Sequence, residues 1–393
     1  MQPLQGIKVL DLSKVVAGPQ CAMMLGDLGA EVLKVEMPKG GDDARGFTPF
    51  QNGMSALFAS VNRNKGSITI NMKDPEGLEI LYKLVRESDV LIENMITGGA
   101  EKLKIGYEDL RKINPKLIYC SISGYGRKGP YARRGGYELM AQAIGGVMSV
   151  TGVPGNEEPM RVGYSMTDIG TGFLATIGVL AALIKRQQTG KGDWVQASLL
   201  STQMGFASYF LTQYMVTGVN PKPAGTRHAS MAPYQIYKAG DGTLLIGMSN
   251  EKQWKRLCEH PKFSNLGENP DYQIMADRVA HRDELQKDLE AILSQMTVTE
   301  ALAELNQINV PCSSINTIKD IMNDEYIVNN LLTVLHIDDV GDFTVPKFPV
   351  EFEEITTEVK STPPLLGQDT NAILQRLGYT DQMIQSLREK GAI

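Results

Sequence analysis

The chain has 393 residues, 42% hydrophobic and 21% charged, a mixture that buries a sizeable core and excludes disordered, collagen-like and coiled-coil classes. Its length predicts two packed units. With 39 basic against 45 acidic residues the net charge is −6, which argues against a nucleic-acid binder. Any anionic ligand must then be held by a local basic cluster.

In chain order, residues 7–12 form a short β-rich run ending at the turn-prone Ser13. A helical stretch at 22–28 closes on Gly29, and 31–36 is a second strand. Strand, helix and strand at this spacing make a βαβ unit and predict a parallel sheet. The pattern recurs with a helix at 76–87, a strand at 90–92, a helix at 107–113 and a strand at 117–122. Gly124-Tyr125-Gly126 then opens a loop. Ligands of doubly wound folds gather at the carboxyl ends of strands, so this loop and the one after Leu12 are the expected site.

Residues 173–184 are apolar nearly all round and predict a buried helix. At roughly a dozen residues the run falls short of the ~20 a membrane span needs, so no membrane association is expected. After Thr189-Gly190-Lys191-Gly192, residues 194–199 alternate like one more strand. The expected organisation is a large doubly wound, Rossmann-like α/β domain over 1–200 and a linker over 201–224, marked by Asn220-Pro221-Lys222-Pro223. A smaller α+β domain follows over 225–325. Residues 326–393 are read as a linker and a C-terminal segment returning to the large domain.

Four scattered cysteines with no CxxC pair and no histidine at metal spacing argue against a disulfide framework and a zinc site, and fit a reducing cytoplasm. The first six residues carry no charged-then-apolar leader pattern. Between the first strand and its helix, Val16-Ala17-Gly18-Pro19 stands where a dinucleotide fingerprint needs GxGxxG. GxxxxGK[ST], HExxH and GxSxG are also absent from the sequence.

Asp168 lies just before the apolar helix, among Gly163, Gly170 and Gly172. One reading makes it an N-cap whose carboxylate accepts bonds from orphan amides. The other makes it a nucleophile, kept ionised by the positive end of the helix and able to attack a thioester. The residues alone leave both open. Basic residues cluster at Arg63 and Lys65, at Lys102 and Lys104, at Arg127-Lys128 and at Arg133-Arg134, near predicted strand ends. Gathered around one sheet edge, they suit a polyphosphate.

Several segments together carry a family resemblance. They are Leu10-Asp11-Leu12 with Ala17-Gly18-Pro19, residues 28–36, Asn64-Lys65, residues 89–94, Ser123-Gly124-Tyr125-Gly126, the Asp168 segment, Arg227-His228, and Pro364-Leu365-Leu366-Gly367. Spread in order over essentially the whole chain, they make it resemble the class III CoA-transferases. That family includes formyl-CoA and carnitine CoA-transferases and the α-methylacyl-CoA racemases. The resemblance implies reversible CoA transfer between an acyl-CoA and a free carboxylic acid, with Asp168 as nucleophile. It implies an aspartyl anhydride and an aspartyl-CoA thioester as intermediates.

It also implies an interlocked homodimer, coenzyme A as substrate rather than as a bound cofactor, and no metal. Positions matching the family's CoA contacts are Val16, Ala17, Met37, Asn62, Arg63, Asn64, Lys65, Asn94, Met95, Ile96, Lys102, Gly136, Tyr137 and Glu138. Formyl-CoA transferase has glutamine at the position of Val16 and arginine at that of Met37, and a glycine-rich loop with no equivalent here. Formyl or oxalyl is therefore a weaker fit as the acyl group. The racemase branch is the alternative. Its acid–base chemistry uses a histidine where this chain has Tyr137, and a tyrosine of ordinary pKa is a poor base near neutral pH.

Overall fold

Apolar side chains along the central strands alternate between two faces, and both faces are covered. Leu10, Leu91 and Tyr119 point into one core, while Val9, Val90, Ile92, Ile118 and Cys120 point into the other. Period-two alternation with burial on both sides is what a parallel sheet between helical layers requires. The computed structural model describes residues 2–156, 158–357 and 359–393.

The sheet consists of β1 (Lys8–Asp11), β2 (Glu31–Glu36), β3 (Lys65–Thr69), β4 (Val90–Glu93), β5 (Ile118–Ser123) and β6 (Trp194–Ser198). All its pairs are parallel, with register marks Val9↔Val32, Val9↔Val90, Ile92↔Cys120 and Cys120↔Val195. The spatial order is β3-β2-β1-β4-β5-β6. The order reverses between β1 and β4, and the loops leaving their carboxyl ends diverge there into a crevice.

Two compact units divide the chain. The first comprises Met1–Val147, Arg161–Val219 and Asn329–Ile393. Its C-terminal stretch returns to the β3 edge, where Ser67 N–H donates to the Asp369 carboxylate at 2.8 Å and Leu374, Ile384, Leu387 and Ile393 enter the core. The second comprises Met148–Met160 and Asn220–Val328. It holds the antiparallel strands β7 (Tyr234–Lys238), β8 (Thr243–Gly247) and β9 (Cys312–Ser314) in the order β9-β8-β7. Its core is formed by residues such as Leu244, Ile246, Leu257, Leu289 and Leu305.

The helices that frame the site are α1 (Ala17–Asp27), α2 (Glu138–Ile144), α3 (Met166–Thr189), α4 (Leu199–Phe206) and α5 (Ser208–Thr217). Two sequence expectations are corrected by them. The stretch read as a linker, 201–224, is mostly helical, because α4 and α5 fill it as far as Thr217. The apolar helix is 24 residues long rather than a dozen, and by length and composition it reaches that of a membrane span. It is also not buried all round. Ala175, Val179, Ala182 and Leu183 enter the core, whereas Phe173, Leu174, Ile177 and Ile184 remain exposed.

Candidate active site

The loop after β1 is held in a conformation its residues would not choose. Val15 has φ = 70°, a left-handed backbone that is rare for a β-branched side chain and costs about 1–3 kcal/mol. Hydrogen bonds on both sides hold it there. Lys14 N–H donates to Asn94 Oδ1 at 2.9 Å, Asn94 Nδ2 donates back to the Lys14 carbonyl at 2.7 Å, and Val15 N–H donates to Asp42 Oδ1 at 2.9 Å. Asn94 leaves β4 and Lys14 leaves β1, so this clamp bridges the switch point of the sheet.

Beneath the loop lies a buried cluster of charges. Asp11 receives Lys65 Nζ at 2.8 Å and has Lys34 Nζ at 3.7 Å, and Lys34 reaches Asp42 at 2.8 Å. Lys34 Nζ also donates to the Ser13 carbonyl at 2.8 Å, which ties the cluster to the loop. Burial acts to raise the Asp11 carboxyl, but the Lys34 and Lys65 charges outweigh it and bring the pKa to about 2. Burial dominates at Lys65, lowering it to about 8.

Asp168 occupies the third helical position of α3, after Met166 and Thr167, with Ser165 as the flanking residue. It is therefore not the N-cap, and the Ser165 side chain caps nothing. The orphan amides are taken by Glu138, a residue from another helix. Asp168 N–H donates to Glu138 Oε2 at 2.7 Å, and Thr167 N–H donates to Oε1 at 3.2 Å. Gln142 Nε2 holds the same oxygen at 2.7 Å, and Thr167 Oγ1 donates to Gln203 on α4 at 2.9 Å. Glu138 can stand there because Gly124 and Gly136 touch backbone to backbone. A Cβ on Gly124 would lie 2.7 Å from Gly136 Cα.

The electrostatic expectation for Asp168 is reversed. A helix N-terminus should keep it ionised, yet burial, and after it the Glu138 charge, push its pKa up to about 7. Glu138 spends the positive end of the helix on itself and adds a like charge.

Asp168 is half-buried and opens on a cavity of about 340 Å³ lined also by Lys14, Val16, Ala17, Asn94 and Glu138. That volume lies within the ~300–1,000 Å³ of small-molecule sites. The wall is completed by Ser123 and Gly124 after β5 and by Gly136 and Tyr137, the last a residue 70% exposed. The nucleophile reading required an open path to this carboxylate, and the cavity provides it.

The sequence-matched contacts thus divide. Val16, Ala17, Asn94, Gly136, Tyr137 and Glu138 line the cavity with Asp168. Asn62, Arg63, Asn64 and Lys65 do not present their polar ends to it, because all four are buried in internal bonds. Arg63 pairs with Asp27 at 2.6 Å, Asn64 donates to Asp27 at 2.8 Å, and Lys65 donates to Asn62 Oδ1 at 2.9 Å as well as to Asp11. Met37 and Met95 pack against the core. Ile96 and Lys102 are exposed outside the cavity wall. Of the other basic residues, Arg127 is buried against Glu93. Lys14, Asp42, Gln142 and Gln203 were not legible as site residues, since nothing in their local sequence distinguishes them from surface or helix positions.

Fold and cavity define a class: an α/β enzyme whose site opens over the strand ends at the switch point, with a carboxylate at its centre. Among the described residues no group of three or more metal-ligating side chains is present. A family model described as CoA-transferase family III matches residues 4–370. Succinyl-CoA:glutarate CoA-transferase of Mus musculus is 39% identical over 396 residues, covering 100% of this chain and 91% of that protein. Succinate–glutarate CoA-transferase of Agrobacterium fabrum is 34% identical over 383 residues, covering 95% and 96%. The crystal structure of a CaiB/BaiF family protein from Brucella suis matches with a TM-score of 0.86 at 37% identity, over 96% of this chain and 99% of that one.

The chain belongs to CoA-transferase family III. It is a class III acyl-CoA:carboxylate CoA-transferase, and such enzymes take CoA thioesters as substrates without a tightly bound cofactor.

Proposed function

We propose that this enzyme moves CoA reversibly between succinyl-CoA and a small dicarboxylic acid of the glutarate type, with Asp168 as the nucleophile. The dicarboxylate class follows from the names of the relatives. The observation that carries the mechanism is the Asp168 carboxyl facing the cavity over the sheet switch point. Its carboxylate attacks the thioester carbonyl and expels CoA thiolate, leaving a mixed anhydride. The thiolate attacks the aspartyl carbonyl, releases the first acid as carboxylate and leaves an aspartyl-CoA thioester. The acceptor carboxylate then attacks that thioester, and the expelled thiolate returns to the acceptor's acyl carbon, regenerating Asp168. One thioester is broken and one is formed, so the exchange needs no external energy source.

A pKa of about 7 leaves roughly half of Asp168 ionised at neutral pH, and a more basic carboxylate is the better nucleophile once ionised. Val16, Ala17, Asn94, Gly136, Tyr137 and Glu138 are the proposed contacts for the thioester end of CoA; Ile96 and Lys102 are proposed for its more distant parts. The racemase alternative gains no support, since Tyr137 offers a phenol in place of an imidazole. Asp168→Asn should reduce transfer by about 10³-fold or more, measured as succinyl-CoA-dependent glutaryl-CoA formation. Hydroxylamine should trap wild-type enzyme preincubated with succinyl-CoA alone, giving an Asp168 hydroxamate visible by peptide mass spectrometry. Absence of that adduct in a wild-type enzyme that turns over overturns the covalent route.

We further infer an interlocked homodimer in the cytoplasm that engages neither nucleic acid nor membrane. The exposed apolar residues of α3 and α5, among them Ile177, Met215 and Val216, support a second copy as their cover. The core residues of α3 support its reading as a sheet-packed helix. Four free thiols fit a reducing compartment. Light scattering at micromolar concentration tests the dimer, and a monomer mass would overturn it.

A further inference from the structure

Two of the residues lining the cavity, Asp168 and Glu138, are acidic, and one, Lys14, is basic. A dicarboxylic substrate brings a second, unreacting carboxylate into this space, and that group needs a cation. Most nearby cations are already committed. Lys34 and Lys65 are fully buried on Asp11 and Asp42, Arg45 pairs with Glu36 at 2.7 Å, and Arg127 is buried on Glu93. Lys14 differs in both respects that matter. Its backbone is fixed by the two Asn94 bonds, while among the described residues its ammonium pairs only with Asp43, at 3.3 Å between side chains 43% and 63% exposed. Such a surface pair is worth ~0.2–1 kcal/mol, so a better-placed carboxylate displaces it readily.

We propose that Lys14 is the specificity-determining residue that receives the distal carboxylate of dicarboxylic substrates, with Asp43 as its placeholder in the free enzyme. The proposal rests on the CoA-transfer reading above and adds the group that separates diacids from monoacids. A charge-assisted hydrogen bond of this kind is worth about 10- to 100-fold in discrimination. The anchored backbone means that the ammonium swings while its root stays in register with the cavity wall. Asp43 tunes the exchange from outside by competing for the same ammonium.

The test compares glutarate with pentanoate, an acid of equal length lacking the second charge, as CoA acceptors from succinyl-CoA and from acetyl-CoA. Wild-type enzyme should favour glutarate, and Lys14→Met should lower the glutarate-to-pentanoate ratio of kcat/KM by about 10- to 100-fold. Lys14→Arg should restore most of that ratio, and Asp43→Asn should raise it about 2- to 5-fold by freeing the ammonium. An unchanged ratio in Lys14→Met overturns the proposal. So does an equal rise in KM for succinyl-CoA and acetyl-CoA, which would assign the lysine to a CoA phosphate. Wild-type enzyme that transfers CoA without preferring the diacid sinks this inference alone; wild-type enzyme that transfers none sinks the functional reading and this inference together.

Discussion

Asp11 and Asp168 are both aspartates withdrawn from bulk water in the same unit, yet one is brought to about 2 and the other pushed to about 7. Desolvation acts in the same direction on each. The difference is the company. Asp11 is met by two ammonium groups and the Ser13 hydroxyl, whereas Asp168 has a carboxylate for its nearest charged neighbour. Burial sets the penalty and the counter-charges decide the sign. The first arrangement braces the loop under the cavity, and the second keeps a carboxyl near its titration point at working pH.

The most drastic way to break this comparison is to remove the compensation at Asp11. Lys65→Met leaves that carboxylate with the more distant Lys34, and the fold should lose about 3–5 kcal/mol in urea unfolding. A midpoint unchanged from wild type would mean that Lys34 suffices by itself. Less drastic is a pH titration of the chemistry. The ionised fraction of a group at about 7 rises roughly tenfold between pH 6 and 8, so single-turnover acylation should climb with it. Glu138→Gln retains an acceptor for the Asp168 amide and removes the like charge, so the midpoint of that profile should move to lower pH. A profile flat between pH 5 and 9 would remove the assigned role of the Glu138 charge.

The smallest expected effect is on stability. A carboxyl whose folded pKa is raised contributes instability that grows as pH climbs from its ordinary value, 3.8, towards 7. Asp168→Asn should therefore melt a few degrees higher than wild type at pH 8, and the gain should vanish near pH 4. Asp11 runs the other way. Its folded pKa lies below the ordinary value, so its stabilisation is present above pH 3.8 and is lost as pH falls through about 2. A melting gain for Asp168→Asn that persisted at pH 4 would mean packing, not charge, is responsible.

Strands in which apolar, β-branched side chains recur announced themselves, as in residues 31–36, which match β2 residue for residue. The edge strand β3 did not, because Lys65, Gly66 and Ser67 read as a polar loop. Lys65 and Ser67 are buried in that strand only because Asp11 pairs with one and Glu36 receives the hydroxyl of the other at 2.8 Å. The same blindness hid α5, whose apolar residues reach no core in this chain. It also misassigned Arg63 and Lys65 to a phosphate, since a basic residue looks alike in sequence whether its partner is a ligand or a buried carboxylate.

Sequence alone determined the alternation of strand and helix, and hence a parallel sheet with its ligand loops at one end, because periodicity and turn chemistry are local. It also singled out Asp168 through its glycine-flanked setting and the family pattern around it. Tertiary structure decided how that carboxylate behaves. The Glu138 side chain arrives from thirty residues away to take the helix amides, and Lys14 meets the same cavity from the loop after β1. Charge acts through space, and no local reading of the chain reveals which charges will become neighbours.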